Sequence, residues 1–292
     1  MELIGQGANS TVFRDGNIVE KKYGTFTSTE FNRGQNEFDI ISYLWDSGCR
    51  CIPQPHSFNA ETNTGKYGFI EGKKLEINQI TSKHIKEMID FLVYSKSLTS
   101  GWTGIGKEPC LATYDYRMNL EGRIIKLLAQ KGESKLNKEA KLIAKIIEDN
   151  LREKKDSLDL ELLPKEQLMF NPGDFGVHNT IIRDDKLVFI DLEYAGIDDI
   201  IRPGMMFITH PTHLEISSTL LDEFEEEYKK QILTTDEDIK RFNNMLYYNN
   251  LHWALIQLNF ILPGHPKMSD AYKEDRIQTA MNYIRRANEN NN

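Results

Sequence analysis

Short apolar runs separated by turn residues fill the first 72 positions, and longer stretches with helical spacing follow. Residues 2–24 read as a strand, a tight turn at positions 5–7, a second strand through Thr11-Val12-Phe13, a turn at Asp15-Gly16, and a third strand ending at Tyr23. Asp-Gly between two apolar runs is a strong hairpin signal, because the preferred two-residue turn needs positive φ. From Ser28 onward Phe31, Phe38, Ile41, Leu44 and Trp45 recur at helical period, with Gly48 as the stop. Pro53-Gln54-Pro55 begins an extended segment, Asn63-Thr64-Gly65 turns it, and residues 66–70 return as a strand to Glu71-Gly72. The pattern predicts an antiparallel five-stranded first lobe with one helix over residues 1–72.

Beyond about Leu75 the spacing changes. Residues 80–98, 117–129, 136–151, 217–232 and 236–260 carry helical periodicity, so residues 73–292 form a mainly helical second lobe and the fold class is α+β. One segment breaks the helical run: residues 168–190 pass from an apolar stretch through a Pro/Gly/Asn-rich loop into two short strands, 180–182 and 187–190. Functional residues concentrate on loops held by rigid elements, which directs attention there. The charged stretch 131–161 reads as a solvated helical face with Leu142, Ile143, Ile146 and Ile147 turned inward. Residues 288–292 are expected to fray, and no internal repeat is visible.

Composition narrows the functional classes. With 36 Lys+Arg against 44 Asp+Glu the formal charge is −8, and 39% hydrophobic content suffices for two cores. No basic block could supply the counterion release that dominates phosphate-backbone binding, so no nucleic acid is expected and a small molecule is the better partner. No stretch approaches 18 uncharged apolar residues and no leader precedes Met1, so no membrane association is expected. Cys49, Cys51 and Cys110 are too few and too unevenly spaced for a disulfide framework, which points to a reducing, cytoplasmic setting.

Two clusters carry chemistry. In the first, Gly5, Gly7, Ser10 and Val12 have the spacing of a phosphate-covering hairpin, with Ser10 in place of a third glycine. Taken alone, the pattern also fits an ordinary turn. On the next strand side chains alternate, so Lys21 shares the face of Val19, which would line a base pocket, while Lys22 points away. Glu37 lies with Ile41 and Leu44 on one helix face and could pair with Lys21, with Glu30 as the fallback partner. The second cluster is Asn171-Pro172-Gly173-Asp174-Phe175-Gly176-Val177-His178-Asn179, followed by a hairpin and Ile190-Asp191-Leu192-Glu193. Phosphoryl transfer needs a carboxylate to orient and deprotonate the attacking hydroxyl, an amide oxygen for the metal and a second carboxylate on that metal. Asp174, Asn179 and Asp191 supply these in order.

On these residues the chain resembles the aminoglycoside phosphotransferase and choline kinase group of small-molecule kinases, and most of all an uncharacterised bacterial branch of it. The resemblance runs from Gly5 to about Pro211. It rests on Gly5-x-Gly7, Lys21, Glu37, Phe69-Ile70-Glu71-Gly72 at the position of the interlobe hinge, Gly173-Asp174-x4-Asn179 and Ile190-Asp191-Leu192-Glu193-Tyr194-Ala195-Gly196. It implies a bilobal protein-kinase-like fold, with ATP between the lobes and its adenine near Val19 and Phe69, Ile70 and Glu71. Lys21 falls on the α/β-phosphates, Mg2+ on Asn179 and Asp191, and Asp174 beside the hydroxyl of a small-molecule acceptor. One departure is Pro172, which stands where the group commonly has a loop-supporting histidine. It leaves open a nucleotide-binding pseudokinase acting as a scaffold or sensor. A protein kinase fits less well, because Glu193 leads almost at once into helical sequence, without a long activation segment.

The acceptor is the least determined element. Glu193, Tyr194, Asp198 and Asp199 follow the metal aspartate closely, and carboxylates beside an aromatic ring favour a cationic amino alcohol or amino sugar. Equally, Glu193 could touch a second metal or form an internal salt bridge, and Asp198 and Asp199 could cap a helix or pair with Arg202. His210 and His213 read as structural, His178 as a hydrogen-bonding loop residue, Cys49-x-Cys51 as a helix-end turn, and Tyr247, Tyr248, Trp253 and Phe260 as helix packing.

Overall fold

The computed structural model describes residues 1–7, 9–24, 31–154, 158–262 and 268–289. Glu30, the fallback partner for Lys21, and residues 290–292 of the expected frayed end lie outside the described residues. Strands β1 (Glu2–Gln6), β2 (Ser10–Asp15) and β3 (Ile18–Tyr23) are followed by helix α1 (Arg33–Asp46), then β4 (Pro55–Asn59) and β5 (Thr64–Gly68). They form one antiparallel sheet in the order β1-β2-β3-β5-β4. Gly16 turns β2 into β3 at φ +61°, as the Asp-Gly pair predicts. Helix α1 starts at Arg33, later than Ser28, because the Asn32 side chain accepts from the Gly34 and Gln35 amides and caps it there. It buries Ile40, Ile41 and Leu44. Strand β5 ends at Gly68, two residues earlier than expected. Phe69 leaves the sheet by donating its amide to Asn17 and lies 3.6 Å beneath the Arg14 guanidinium.

The remainder contains β6 (Lys73–Lys74), α2 (Ser82–Ser97), α3 (Thr113–Leu128), α4 (Lys135–Glu153), β7 (Leu168–Asn171), β8 (Thr180–Arg183), β9 (Lys186–Phe189), β10 (Gly196–Asp199), α5 (Arg202–Thr209), α6 (Ser218–Gln231), α7 (Asp236–Asn259) and α8 (Asp270–Glu289). Its core gathers Phe170, Phe207, Phe224, Tyr228, Phe242, Leu251 and Leu255, all without solvent exposure. On α4 the inner stripe is Ala140, Ile143, Ala144, Ile147 and Leu151, while Leu142 and Ile146 face solvent, which corrects the expected face by one position. Helix α8 was not expected. Its buried Ile277, Ala280, Tyr283, Ile284 and Ala287 have helical spacing, diluted by the polar residues around them.

Two small ladders position the loop chemistry. Strands β8 and β9 form the expected hairpin, with Asp184 and Asp185 at φ +52° and +59°, and β6 pairs along β8. Strand β10 pairs antiparallel with β7, setting Gly196 opposite Asn171 and Asp198 opposite Met169. That pairing brings the loop after β7 alongside residues 193–195.

Beneath this ladder Asp199 is fully buried, accepts from Tyr116 Oη and the Ile201 amide, and pairs with Arg241, which also reaches Asp238. Burial pushes the Asp199 carboxyl up to about 6, against the lowering effect of Arg241. At pH 8 the pair is charged, and removing one partner leaves an uncompensated buried ion. Arg241→Met is expected to destabilise the fold by about 3–5 kcal/mol in urea unfolding at pH 8, and adding Asp199→Asn to recover part of that loss. Equal stability of wild type and Arg241→Met would contradict this account.

Candidate active site

Cross-strand partners in an antiparallel sheet share a face, and here Gly5 is opposite Val12 and Val12 is opposite Lys21. Val19, two residues before Lys21, lies on that face too. Gly7 donates its amide to the Ser10 carbonyl and closes the hairpin tip. Lys21 is buried while Lys22 is exposed, as alternation predicts. The Lys21 ammonium lies 2.6 Å from Glu37 Oε2, 2.6 Å from Asp191 Oδ1 and 3.6 Å from Glu193 Oε2. Burial pushes the Lys21 ammonium down, but Glu37, Asp191 and Glu193 together outweigh it and hold it firmly protonated.

Asp191 adopts φ +65°, a left-handed conformation rarely taken by a non-glycine residue, at the point where β9 hands the chain to residues 192–195. Helix α1 holds this segment: the Leu192 amide donates to Glu37 Oε1, and Asn36 Nδ2 donates to the Glu193 and Ala195 carbonyls. Asn179 donates Nδ2 to the Asp174 carbonyl, leaving its Oδ1 available, and its own carbonyl accepts from the Ile190 amide beside Asp191. Glu193 is buried and its Oε2 has no hydrogen-bond donor among the described residues. Burial pushes the Glu193 carboxyl up, with Asp191 and Glu37 adding to it against Lys21 and Arg33. Glu37, Asp191 and Glu193 bring carboxylate oxygens within 4.8 Å of one another. An oxygen-only set with an orphaned buried carboxylate atom fits a hard divalent cation such as Mg2+.

The loop after β7 turns at Gly173, where φ is +84° and a Cβ would lie 2.8 Å from the Tyr194 carbonyl carbon. Only glycine fits both constraints. The turn presents Asp174 between two stacked imidazoles, His178 and His210, whose ring centroids are 4.5 Å apart. His178 Nε2 is 3.3 Å and His210 Nε2 3.4 Å from the Asp174 carboxylate. His210 Nδ1 accepts from the Thr212 amide, so its proton sits on Nε2 and points at Asp174. Burial pushes the Asp174 carboxyl up, yet the hydrogen bonds and charge of the two histidines prevail and hold it well below the usual carboxylate range. Burial lowers His210 against the pull of Asp174. His213 accepts from the Val177 amide at Nε2 and donates from Nδ1 to the Phe207 carbonyl. Both its nitrogens are committed, so the three histidines are not a metal site.

Asp174 opens into a cavity of about 460 Å³ whose wall includes Lys107, Tyr194, His252, Trp253 and Phe260. Another cavity of about 490 Å³, between Cys49, Cys51, α2 and β9, contains none of the groups described above. Trp253 and Phe260, expected only to pack helices, therefore also face the cavity, although the Trp253 indole donates to Thr209. Tyr194 lines it as well, with its hydroxyl taking a hydrogen bond from Asn9.

Asp198 is corrected. Its Oδ1 accepts from the Cys110 and Asp199 amides and its Oδ2 from Asn171 Nδ2 and Arg202, so no acceptor oxygen is left for a cationic substrate. Glu193 faces Lys21 and Asn9 instead of the cavity. Ile70 is buried and Glu71 exposed on the link between the sheet and β6. Sequence reasoning missed Asn9, Arg33, Asn36 and Lys107. Asn9 at the hairpin tip bonds Glu193 and Tyr194 and accepts from Arg33, contacts that no local pattern encodes.

Solved structures of the same shape define the class. The chain matches a choline/ethanolamine kinase family protein from Mesorhizobium loti over 99% of its length and 91% of that chain, with a TM-score of 0.63 at 15% identity. A choline kinase from Streptococcus pneumoniae is matched over 98% of this chain and 92% of that one, with a TM-score of 0.60 at 15% identity. A spectinomycin phosphotransferase, solved with ADP and spectinomycin, is matched over 98% and 88%, with a TM-score of 0.56 at 14% identity. No protein-family model and no curated protein matches the sequence. The fold is thus the protein-kinase-like fold of the small-molecule kinases. Among the described residues no helix is long and apolar enough to cross a membrane.

The histidine pair generates a direct measurement. In a carbon-detected NMR titration the Asp174 carboxyl is expected to stay ionised to well below pH 4, and in His210→Phe its midpoint is expected to rise by about one unit, because a hydrogen bond to the charged form is lost. An ordinary midpoint in the wild-type protein would contradict this assignment.

Proposed function

We propose that the protein is an ATP-dependent phosphotransferase that moves the γ-phosphoryl group to a hydroxyl of a small molecule. The observation that carries this reading is the placement of one ionised carboxylate, Asp174, at the mouth of a ligand-sized cavity, with its backbone tied to Asn179 and thereby to Asp191. Residues 1–72 form the nucleotide-binding lobe: Gly5, Gly7, Ser10 and Val12 cover the phosphates, Val19 with Phe69, Ile70 and Glu71 receives the base, and Lys21, positioned by Glu37, meets the α/β-phosphates. Residues 73–292 carry the catalytic loop and the acceptor pocket. Asn179 and Asp191 hold Mg2+, with the orphaned oxygen of Glu193 within reach of the same cluster. The cation, when bound, neutralises charge on the transferring phosphoryl oxygens.

Asp174 orients the acceptor hydroxyl and takes its proton as the oxygen attacks, while His178 and His210 keep the carboxylate ionised and fixed in direction. Support for the loop, which Pro172 cannot give, comes from His213 through the Val177 amide. That support and the retention of Lys21, Asp174, Asn179 and Asp191 favour an enzyme over a scaffold. Three unpaired thiols and ATP as donor suit a cytoplasmic setting.

The test is substitution with purified protein and Mg-ATP. Asp174→Asn is expected to lower turnover about 10²–10⁴-fold with nucleotide affinity nearly unchanged, since the carboxylate acts on the hydroxyl. Wild-type turnover in that variant would remove its role as the base. Asp191→Ala is expected to weaken Mg-nucleotide binding and turnover together, and calorimetry giving equal affinity would remove it from the metal site. Lys21→Ala is expected to raise the KM for ATP about tenfold or more and Lys22→Ala hardly at all. The opposite order would place the other lysine at the phosphates.

A further inference from the structure

Resting on the kinase reading, we propose that the acceptor carries an oxyanion, a carboxylate or a phosphate ester, held by Lys107 in the cavity beside Asp174. Six charged side chains line that cavity: Lys107, Arg123, Arg202, Glu108, Asp174 and Asp198. Glu108 pairs with Arg123, and Asp198 pairs with Arg202 at 2.9 Å while accepting from Asn171 and Cys110. Asp174 is engaged by the two histidines. Lys107 is left over: among the described residues it forms no ion pair, and its ammonium lies 5.5 Å from the centre of the Tyr194 ring.

The surroundings reinforce the sign. Burial lowers the Lys107 ammonium, and Arg33, Arg123 and Lys126 contribute to that lowering more than they are offset by the single neighbouring acid, Glu108. A ligand oxyanion relieves this crowding, and a ligand ammonium adds to it. His252 gives a second, independent sign of a ligand. It is 8% exposed, lines the same cavity and forms no hydrogen bond among the described residues. Burial keeps its imidazole neutral, so it offers one donor or acceptor to a polar group inside the cavity. The Arg123 Nε is buried and likewise without an acceptor. Met206, Trp253, Ile256 and Phe260 supply an apolar wall for a carbon skeleton. The acceptor that fits places a hydroxyl at Asp174 and an oxyanion at Lys107, with its carbon chain against that wall.

The experiment uses the full chain saturated with Mg-ADP, which occupies the nucleotide site, and four probes of one size: glycerate, glycerol 3-phosphate, glycerol and ethanolamine. Thermal unfolding reads binding, and nucleotide consumption with Mg-ATP reads transfer. Glycerate or glycerol 3-phosphate is expected to raise the Tm, and the two arms separate a carboxylate from a phosphate ester as the anion. Lys107→Met is expected to weaken that anion's binding about 10- to 100-fold more than it weakens glycerol binding, and Lys107→Arg to restore part of it. A preference for ethanolamine, or anion binding insensitive to Lys107→Met, overturns the proposal. A variant that changes only the KM for ATP overturns it too, because Lys107 then serves the nucleotide. Phosphorylation of glycerol or ethanolamine without a Lys107-dependent anion effect would leave the kinase reading standing and this one fallen. Lys107-dependent anion binding with no nucleotide consumption by any probe would do the reverse.

Discussion

The Glu37 carboxylate is the interaction on which the site depends. It is 2% exposed and accepts from Lys21 Nζ, Tyr23 Oη and the Leu192 amide. A buried carboxylate short of partners costs several kcal/mol, so the fold must bring all three donors to one point. They come from strand β3 and from the segment after Asp191, while Glu37 itself is on α1. Lys21 then contacts Asp191 across the same cluster, and Asn36, one residue before Glu37, holds the Glu193 and Ala195 carbonyls. One turn of α1 thereby locks the sheet to the segment that bears the metal-binding carboxylates. Movement of α1 would break the lysine pair and release residues 192–195 together.

What could be read from the sequence was what local periods encode. Strand alternation distinguishes Lys21 from Lys22, and helical spacing places Glu37 on the inner face, because a period of two or 3.6 fixes direction without knowledge of the rest of the chain. The offset between Asp174 and Asn179 and the two-residue turn before Asp191 were readable for the same reason. Long-range contacts were not. Asn9 meets Glu193 and Tyr194 across more than 180 residues, and His210 reaches Asp174 through a stacked partner on another loop. Helix α8 was hidden because its five buried positions are set among charged ones, and β10 because Gly196-Ile197-Asp198-Asp199 has no apolar alternation.

Asp198 shows how a correct local reading can divide. Two adjacent acids after the metal-binding segment are chemically suited to a cation, to a helix start or to Arg202. Sequence cannot weigh these, since the decision lies with the Asn171 amide and the Cys110 backbone, 27 and 88 residues away. Four donors to one carboxylate exhaust its lone pairs, and an exhausted carboxylate has no electrostatic use for a ligand beyond its residual field. The same accounting explains Asp199, which is neutralised by Arg241 below the ladder that positions the loop.

The formal charge of −8 therefore says little about the cleft. A chain-wide excess of acids acts on solubility and long-range steering, whereas a pocket is governed by which charges within it lack partners. Here the acids near Asp174 are spent on structure: Asp198 and Asp199 fix β10 and α5, Glu108 fixes Arg123, and Glu37 fixes Lys21. Each pairing removes a carboxylate from the field that a ligand meets without removing it from the count. The unmatched group that survives this subtraction on the cavity wall is a lysine, so a chain that is acidic overall presents its ligand with a locally positive surface.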